Sequence, residues 1–190
     1  MSAGIARNWW AIGLRGLAAV LFAACLLILP RPALASLVLL FTAYIAADGV
    51  FAIIAAMRAA QSGERWRSLM AEGVTDLLVA AWVAIWPAIA VVPFVRLASA
   101  WAIVTGGLMI AAARRLALSH GRWLLALAGA ESVSWGILVT ASGPSAESGT
   151  RVAELWLAVY ALPFAVLLLA LAFRLRRGHR VDVTKPARAS

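Results

Sequence analysis

Five ionisable side chains stand where an apolar sequence should have none. Arg15, Asp48, Glu72, Asp76 and Glu131 each lie within a run of otherwise hydrophobic residues. Their chemistry is that of charge held out of water: ion pairing, hydrogen bonding between helices, and uptake or release of a proton. A charge at the centre of a membrane helix costs about 2.5–3.5 kcal/mol on insertion scales, so each of these groups needs a partner, a proton or a wet cavity. Glu72 and Asp76 are four residues apart, share a helical face and repel when both are ionised. One arginine cannot neutralise four carboxylates; fully ionised, the five would carry a net −3. The expectation is that Arg15 pairs with one or two of them, Glu72 or Asp48 foremost. At least one further carboxyl is then expected to keep its proton at neutral pH. The plainer expectation is that these groups only hydrogen-bond helices to one another, as polar residues in membrane bundles do.

Other chemistries have no visible apparatus. There is no glycine-rich phosphate loop, no G-x-S-x-G elbow and no H-E-x-x-H. His120 and His179 sit in basic segments without clustered ligands, so no metal site is expected. Ser132 and Ser134 adjoin Glu131, but no histidine accompanies them in the apolar runs. Cys25 has no partner for a disulfide and reads as a small apolar side chain. An enzyme is not expected, nor is a cofactor.

The elements that must hold these residues follow from composition. Of 190 residues, 64 % are hydrophobic and 13 % charged, with a mean hydropathy of +0.93. Soluble domains carry about 25 % charged and 45–50 % apolar residues, and a chain this short cannot hide the excess from water. Lipid is the remaining solvent. A disordered chain, a collagen-like fibre and a disulfide scaffold are excluded by the same arithmetic. The net charge of +9 would suggest nucleic acid in a soluble protein. Here the basic residues flank apolar spans, where they set orientation instead.

The chain repeats. Trp9, Trp66 and Trp123 are 57 residues apart, as are Pro30, Pro87 and Pro144. At the same offset Arg15-Gly16 falls on Glu72-Gly73, Gly49 on Gly106, and Arg58 on Arg115. In the third unit Glu131 is displaced by two positions, and Pro163 falls where a glycine is expected. A membrane span takes about 20 apolar residues, so each unit holds two spans. The fold class expected is all-α: six transmembrane helices as three repeated hairpins, in units of about 9–58, 66–115 and 123–174. The helices are placed at Trp9–Leu29, Ala33–Met57, Ser68–Trp86, Ala88–Ala113, Arg122–Ala141 and Val152–Phe173, with the three prolines in the hairpin turns. The transmembrane domain is expected to span 1–177, followed by a basic, disordered tail at 178–190. Gly13, Gly16, Gly73, Gly106, Gly107 and Gly136 are expected to let helices approach closely.

Orientation follows from the arginines. Thirteen basic residues lie on one side of the spans and two, Arg31 and Arg151, on the other, which predicts cytoplasmic termini. Trp9, Trp10, Trp66 and Trp123 then form an inner interfacial belt; Trp82, Trp86 and Trp156 lie near the outer one. At about 1.5 Å per residue, Arg15 and Glu72 lie roughly 9 Å inside that inner belt. On the same scale Glu131 lies about 12 Å deep, Asp48 about 13–14 Å, and Asp76 near 15 Å, close to the midplane. Arg96 and Glu154, near the outer helix ends, are expected to pair or to face headgroups. Ala33-Leu34-Ala35 resembles a secretory cleavage site. Arg15 within the span, and its register with the third helix, favour a membrane helix.

The Trp9-Trp10 start, Leu14-Arg15-Gly16 running to Pro30, and Asp48-Gly49 late in the second helix resemble the HdeD-like acid-resistance membrane proteins. The second unit repeats the pattern as Glu72-Gly73, Pro87 and Gly106, and the resemblance covers most of Trp9 to Arg177, with the third unit matching poorly. Thr105 in place of Asp48, and the displaced Glu131, depart from the pattern. The resemblance implies a six-helix protein of the bacterial inner membrane, associated with tolerance of acid stress. The family has no defined catalytic or binding residues to carry over.

The functional expectation is a non-enzymatic integral membrane protein contributing to acid-stress resistance through protonatable carboxylates in the cytoplasmic half of the bilayer. Protonation would relieve carboxylate repulsion and shift helix packing. A proton- or small-solute-linked transporter or channel is the alternative, supported by midplane Asp76 but opposed by repeats that run in the same direction. A membrane assembly scaffold, with its basic tail on anionic lipid, is the third. The lipid bilayer is the one partner expected outright; nucleic acid is not, and homo-oligomerisation stays open.

Overall fold

The computed structural model describes residues 9–28, 33–61, 66–86, 89–114, 121–142 and 149–184. They form six helices: α1 (Trp9–Ile28), α2 (Leu34–Gln61), α3 (Arg67–Ile85), α4 (Val91–Ala113), α5 (Arg122–Ser142) and α6 (Gly149–Thr184). No strand occurs among the described residues, and all six helices are long and apolar enough to cross a membrane. Helices are the economical form for such runs, because each backbone group finds its partner within its own segment. The turns assigned to Pro30, Pro87 and Pro144 lie outside the described residues.

Local sequence accounts for several ends. Pro93 sits in the first turn of α4, where its missing N–H costs no helical bond. Gly121 has φ +82°, a left-handed conformation that opens the way into α5, and a Cβ there would lie 2.8 Å from Leu171 Cδ1. Pro163 lies inside α6 with its ring exposed, so the interrupted turn faces outward.

One boundary differs from the sequence expectation. α6 continues to Thr184, so residues 178–184 are helical instead of belonging to a disordered tail. Leu175, Arg176, Arg177 and Arg180 are good helix formers on either side of Gly178. Residues 185–190 lie outside the described residues.

The helices close into a ring. α4 packs most intimately with α5, α1 with α6, and α2 with α3; the contacts within each repeat, α1 with α2, α3 with α4 and α5 with α6, are looser. The hairpin is thus the unit of repetition, while the tightest seams join one repeat to the next. At these seams small residues bring backbones together. A Cβ on Gly73 would lie 2.7 Å from the Gly49 carbonyl oxygen, and a Cβ on Gly129 2.6 Å from that of Gly106. At the third seam a Cβ on Gly16 would lie 2.9 Å from Leu169 Cγ. Gly107 has nothing within 4 Å of its would-be Cβ, and Gly13 meets only Ala172 at 3.6 Å, so neither marks a close approach as expected.

The middle of the ring is filled by aromatics of the even helices, backed by two from α1 and α5. Trp101 lies edge-on to Tyr44 and to Tyr160, with centroids 6.2 and 6.1 Å apart. Phe22 stacks on Tyr44 and Trp135 leans on Tyr160, each at 4.8 Å. At the end where α1, α3 and α5 begin, Arg58, Arg174 and Arg176 lie over the rings of Trp10, Trp123 and Trp9 at 4.5, 5.6 and 4.9 Å. These pairs tie the ends of α2 and α6 to the starts of α1 and α5 by cation–π attraction.

Candidate functional site

Asp48 and Glu72 each precede a glycine of the α2–α3 seam. Because Gly49 and Gly73 bring the two backbones together, the carboxylates are carried side by side. Arg15 reaches them from α1. Its Nε donates to Asp48 Oδ1 at 2.8 Å and its Nη2 to Asp48 Oδ2 at 2.7 Å, while Nη2 also donates to Glu72 Oε1. All three residues are buried, at 4, 2 and 3 % exposure. One guanidinium fork therefore serves two carboxylates and fastens three helices at a single point. A planar fork suits this role where a lysine ammonium does not.

Asp76, fully buried one turn beyond Glu72, does not bond Arg15. Its Oδ1 accepts the Trp101 indole N–H at 2.6 Å, and its Oδ2 has no hydrogen-bond partner among the described residues. Asp76 belongs to the same polar region, however, since its Cβ lies 2.9 Å from where a Cβ on Gly49 would be. The Arg15 charge is thus opposed by three buried carboxyl groups within one sector of the ring.

Glu131 does not join them. It is half-buried on α5, with Oε2 unpartnered among the described residues. The reason is a change of register in the third repeat. Gly129 meets Gly106 as Gly73 meets Gly49, and Ser132 Cβ lies against Gly106 as Asp76 Cβ lies against Gly49. From α3 to α5 the equivalence therefore runs at 56 residues, not 57. Asp76 corresponds to Ser132 and Glu72 to Ala128, while Glu131 occupies the place of Thr75 on the flank of the helix. From α4 to α6 the interval is 59 residues, because Ile110 against Gly129 becomes Leu169 against Gly16. Buried Ala165, not Pro163, then stands in the place of Gly106.

The corrected register exposes a motif that sequence reasoning missed. Tyr44, Trp101 and Tyr160 are equivalent, and so are Ala19, Asp76 and Ser132. In the second unit Trp101 donates to Asp76; in the third, Tyr160 and Ser132 lie 3.0 Å apart through their hydroxyls. In the first unit the partner position is Ala19, and the buried Tyr44 hydroxyl has no partner among the described residues. The 57-residue spacing of Tyr44 and Trp101 was the available signal.

A second buried carboxylate lies toward the other end. Glu154 is 1 % exposed and accepts from Arg151 Nη1 at 2.6 Å, a partner one turn earlier on α6. Arg96 is exposed, so the Arg96–Glu154 pairing considered from sequence is replaced by Arg151–Glu154. Among the described residues no group of three or more His, Cys, Asp or Glu is arranged to hold a metal ion. What the buried groups can do is hold charge, share hydrogen bonds and exchange protons.

Comparison with known proteins gives matches to one family model, at residues 14–83 and 71–141. No curated protein and no solved structure matches the chain. The two matched segments overlap in α3 and begin 57 residues apart, at the repeat interval read from the tryptophans. Together they take in α1 through α5 and more than half of the chain, which therefore belongs to the family described as a short repeat of unknown function, DUF308.

Proposed function

We propose that this multi-pass membrane protein is a non-enzymatic component of acid-stress resistance in the bacterial inner membrane, with both termini in the cytoplasm. The HdeD-like proteins that its motifs resemble belong to the same repeat family. The observation that carries the reading is the buried charge imbalance: Arg15 faces Asp48, Glu72 and Asp76, all within an apolar ring. Three carboxyl groups against one guanidinium reach neutrality by taking up protons. Falling cytoplasmic pH then changes how strongly α1, α2 and α3 are held together. The basic belt over Trp9, Trp10 and Trp123 supports the orientation, since arginines collect on the cytoplasmic side.

The test is acid survival of a null strain complemented with Glu72→Gln or Asp76→Asn at matched protein levels. Impaired survival with either variant supports the reading; survival equal to wild type with both removes it. Infrared titration in bilayers supplies the physical arm: no carboxyl changing state between about pH 4 and 8 would end the proton-responsive role. Reporter fusions at the C-terminus and in the 143–148 segment check orientation. A second reading, a proton- or solute-linked transporter, draws on the free Oδ2 of Asp76 near mid-helix. Liposomes carrying a pH-sensitive dye separate it from a silent membrane protein.

A further inference from the structure

We infer that the first repeat holds an internal hydration site, in which water bonds the Tyr44 hydroxyl and Asp76 Oδ2. Both groups are buried, at 4 and 0 % exposure, and neither has a hydrogen-bond partner among the described residues. They therefore do not bond each other. Both adjoin Trp101: Tyr44 meets the ring edge-on at 6.2 Å, and Asp76 takes the indole N–H through its other oxygen. A buried hydroxyl and a buried carboxyl oxygen left bare in lipid are costly, and there is no bulk water in the hydrocarbon to repay them. Buried polar atoms that no protein group satisfies are where proteins place ordered water.

The repeat shows why water is needed at Tyr44 and not at the two equivalent aromatic positions. Tyr160 has Ser132 and Trp101 has Asp76, whereas Tyr44 has Ala19. The first unit lacks the side chain that satisfies its aromatic tip. Water takes that role, and in doing so reaches the one oxygen of Asp76 that Trp101 leaves free.

The chain has two tyrosines, which makes the test internal to the protein. Full-length protein labelled with carbon-13 at tyrosine Cζ is placed in lipid bilayers, and magnetisation transfer from water is followed by solid-state NMR. Tyr44→Phe assigns the two signals. The Tyr44 signal is expected to build up from water several-fold faster than that of Tyr160, which Ser132 already satisfies. Ala19→Ser, which gives Tyr44 the hydroxyl that its equivalent has, is expected to slow the Tyr44 build-up to the Tyr160 rate. Equal build-up at both tyrosines in the wild-type protein overturns the inference, whether or not the variant folds. The inference is independent of the acid-stress reading: a dry Tyr44 alongside impaired acid survival of Glu72→Gln sinks the former and leaves the latter standing.

Discussion

Replacing Arg15 by methionine gives the sharpest test of the ion triad. The side chain volume is roughly kept, but Asp48 loses both of its charge-assisted bonds and Glu72 loses its own. With all three residues at 4 % exposure or less, solvent cannot compensate. Removing one partner of a buried ion pair costs about 3–5 kcal/mol, because an uncompensated charge is left behind. For a chain of this size about 2–4 °C of melting temperature corresponds to 1 kcal/mol, so Arg15→Met should melt about 6–20 °C lower. Thermal unfolding of the purified protein in mild detergent, followed by helical circular dichroism, measures it. The companion variant is Arg15→Met/Asp48→Leu/Glu72→Met, which removes all the charges together. Buried ionic groups replaced by packed apolar ones are commonly neutral or stabilising by about 1–4 kcal/mol, so the triple variant should recover most or all of the lost stability. If the single variant melts within about 1 kcal/mol of wild type, or the triple variant is no better than the single, the triad does not hold α1, α2 and α3 as described.

Three further outcomes follow from the packing. Gly73→Ala and Gly129→Ala place a methyl group against a backbone oxygen and should each cost about 1–3 kcal/mol, whereas Gly107→Ala, facing open space, should be neutral or gain up to about 1 kcal/mol in helix propensity; thermal melts rank them. Ser132→Ala should cost about 1–2 kcal/mol by stranding the Tyr160 hydroxyl, and adding Tyr160→Phe should restore most of it, a coupling that a double-mutant cycle reads directly. Trp101→Phe should destabilise by about 1–3 kcal/mol, since buried Asp76 Oδ1 would lose the indole N–H, while Trp82→Phe, on an exposed face, should leave the melting temperature unchanged.

The six-helix architecture was legible because the signals that specify it are long and redundant. Six apolar runs of span length fix the helices, and the Trp and Pro intervals fix the repeat. Contacts across the ring were less legible, because identical spacing does not say which neighbour a helix prefers. The Asp48-Gly49 and Glu72-Gly73 pairs stood out as charge beside a small residue, and their junction under Arg15 follows from the Gly49–Gly73 approach. Glu131 misled because one residue fewer separates the α3 and α5 seam glycines, and a one-residue slip turns a helix by about 100°. The contacts of Gly129 and Ser132 with Gly106 reveal that slip. Tyr44 and Trp101 passed unnoticed because a buried aromatic in an oily helix looks like packing until its polar tip is seen to lack, or to have, a partner.

A closed ring of three similar units can place three equivalent polar sites around its axis, yet these three differ. The second unit puts a carboxylate opposite its central aromatic, the third a hydroxyl, and the first an alanine. The ion triad draws on the first and second units and has no counterpart at the other two seams, where Thr105 and Phe164 occupy the place of Asp48. The glycine-lined approaches preserve the backbone scaffold while the polar residues break its symmetry, so charge is concentrated in the sector of α1, α2 and α3. A change in charge there is expected to act on the α1–α2–α3 sector, away from the α4–α5 seam, where Gly129 meets Gly106. Protonation would therefore be expected to loosen α1 against α2 and α3 while α4 and α5 stay docked. Cross-links between α1 and α2 and across the α4–α5 seam, compared at neutral and acid pH, should respond differently, and equal responses would place the sensitive charge elsewhere.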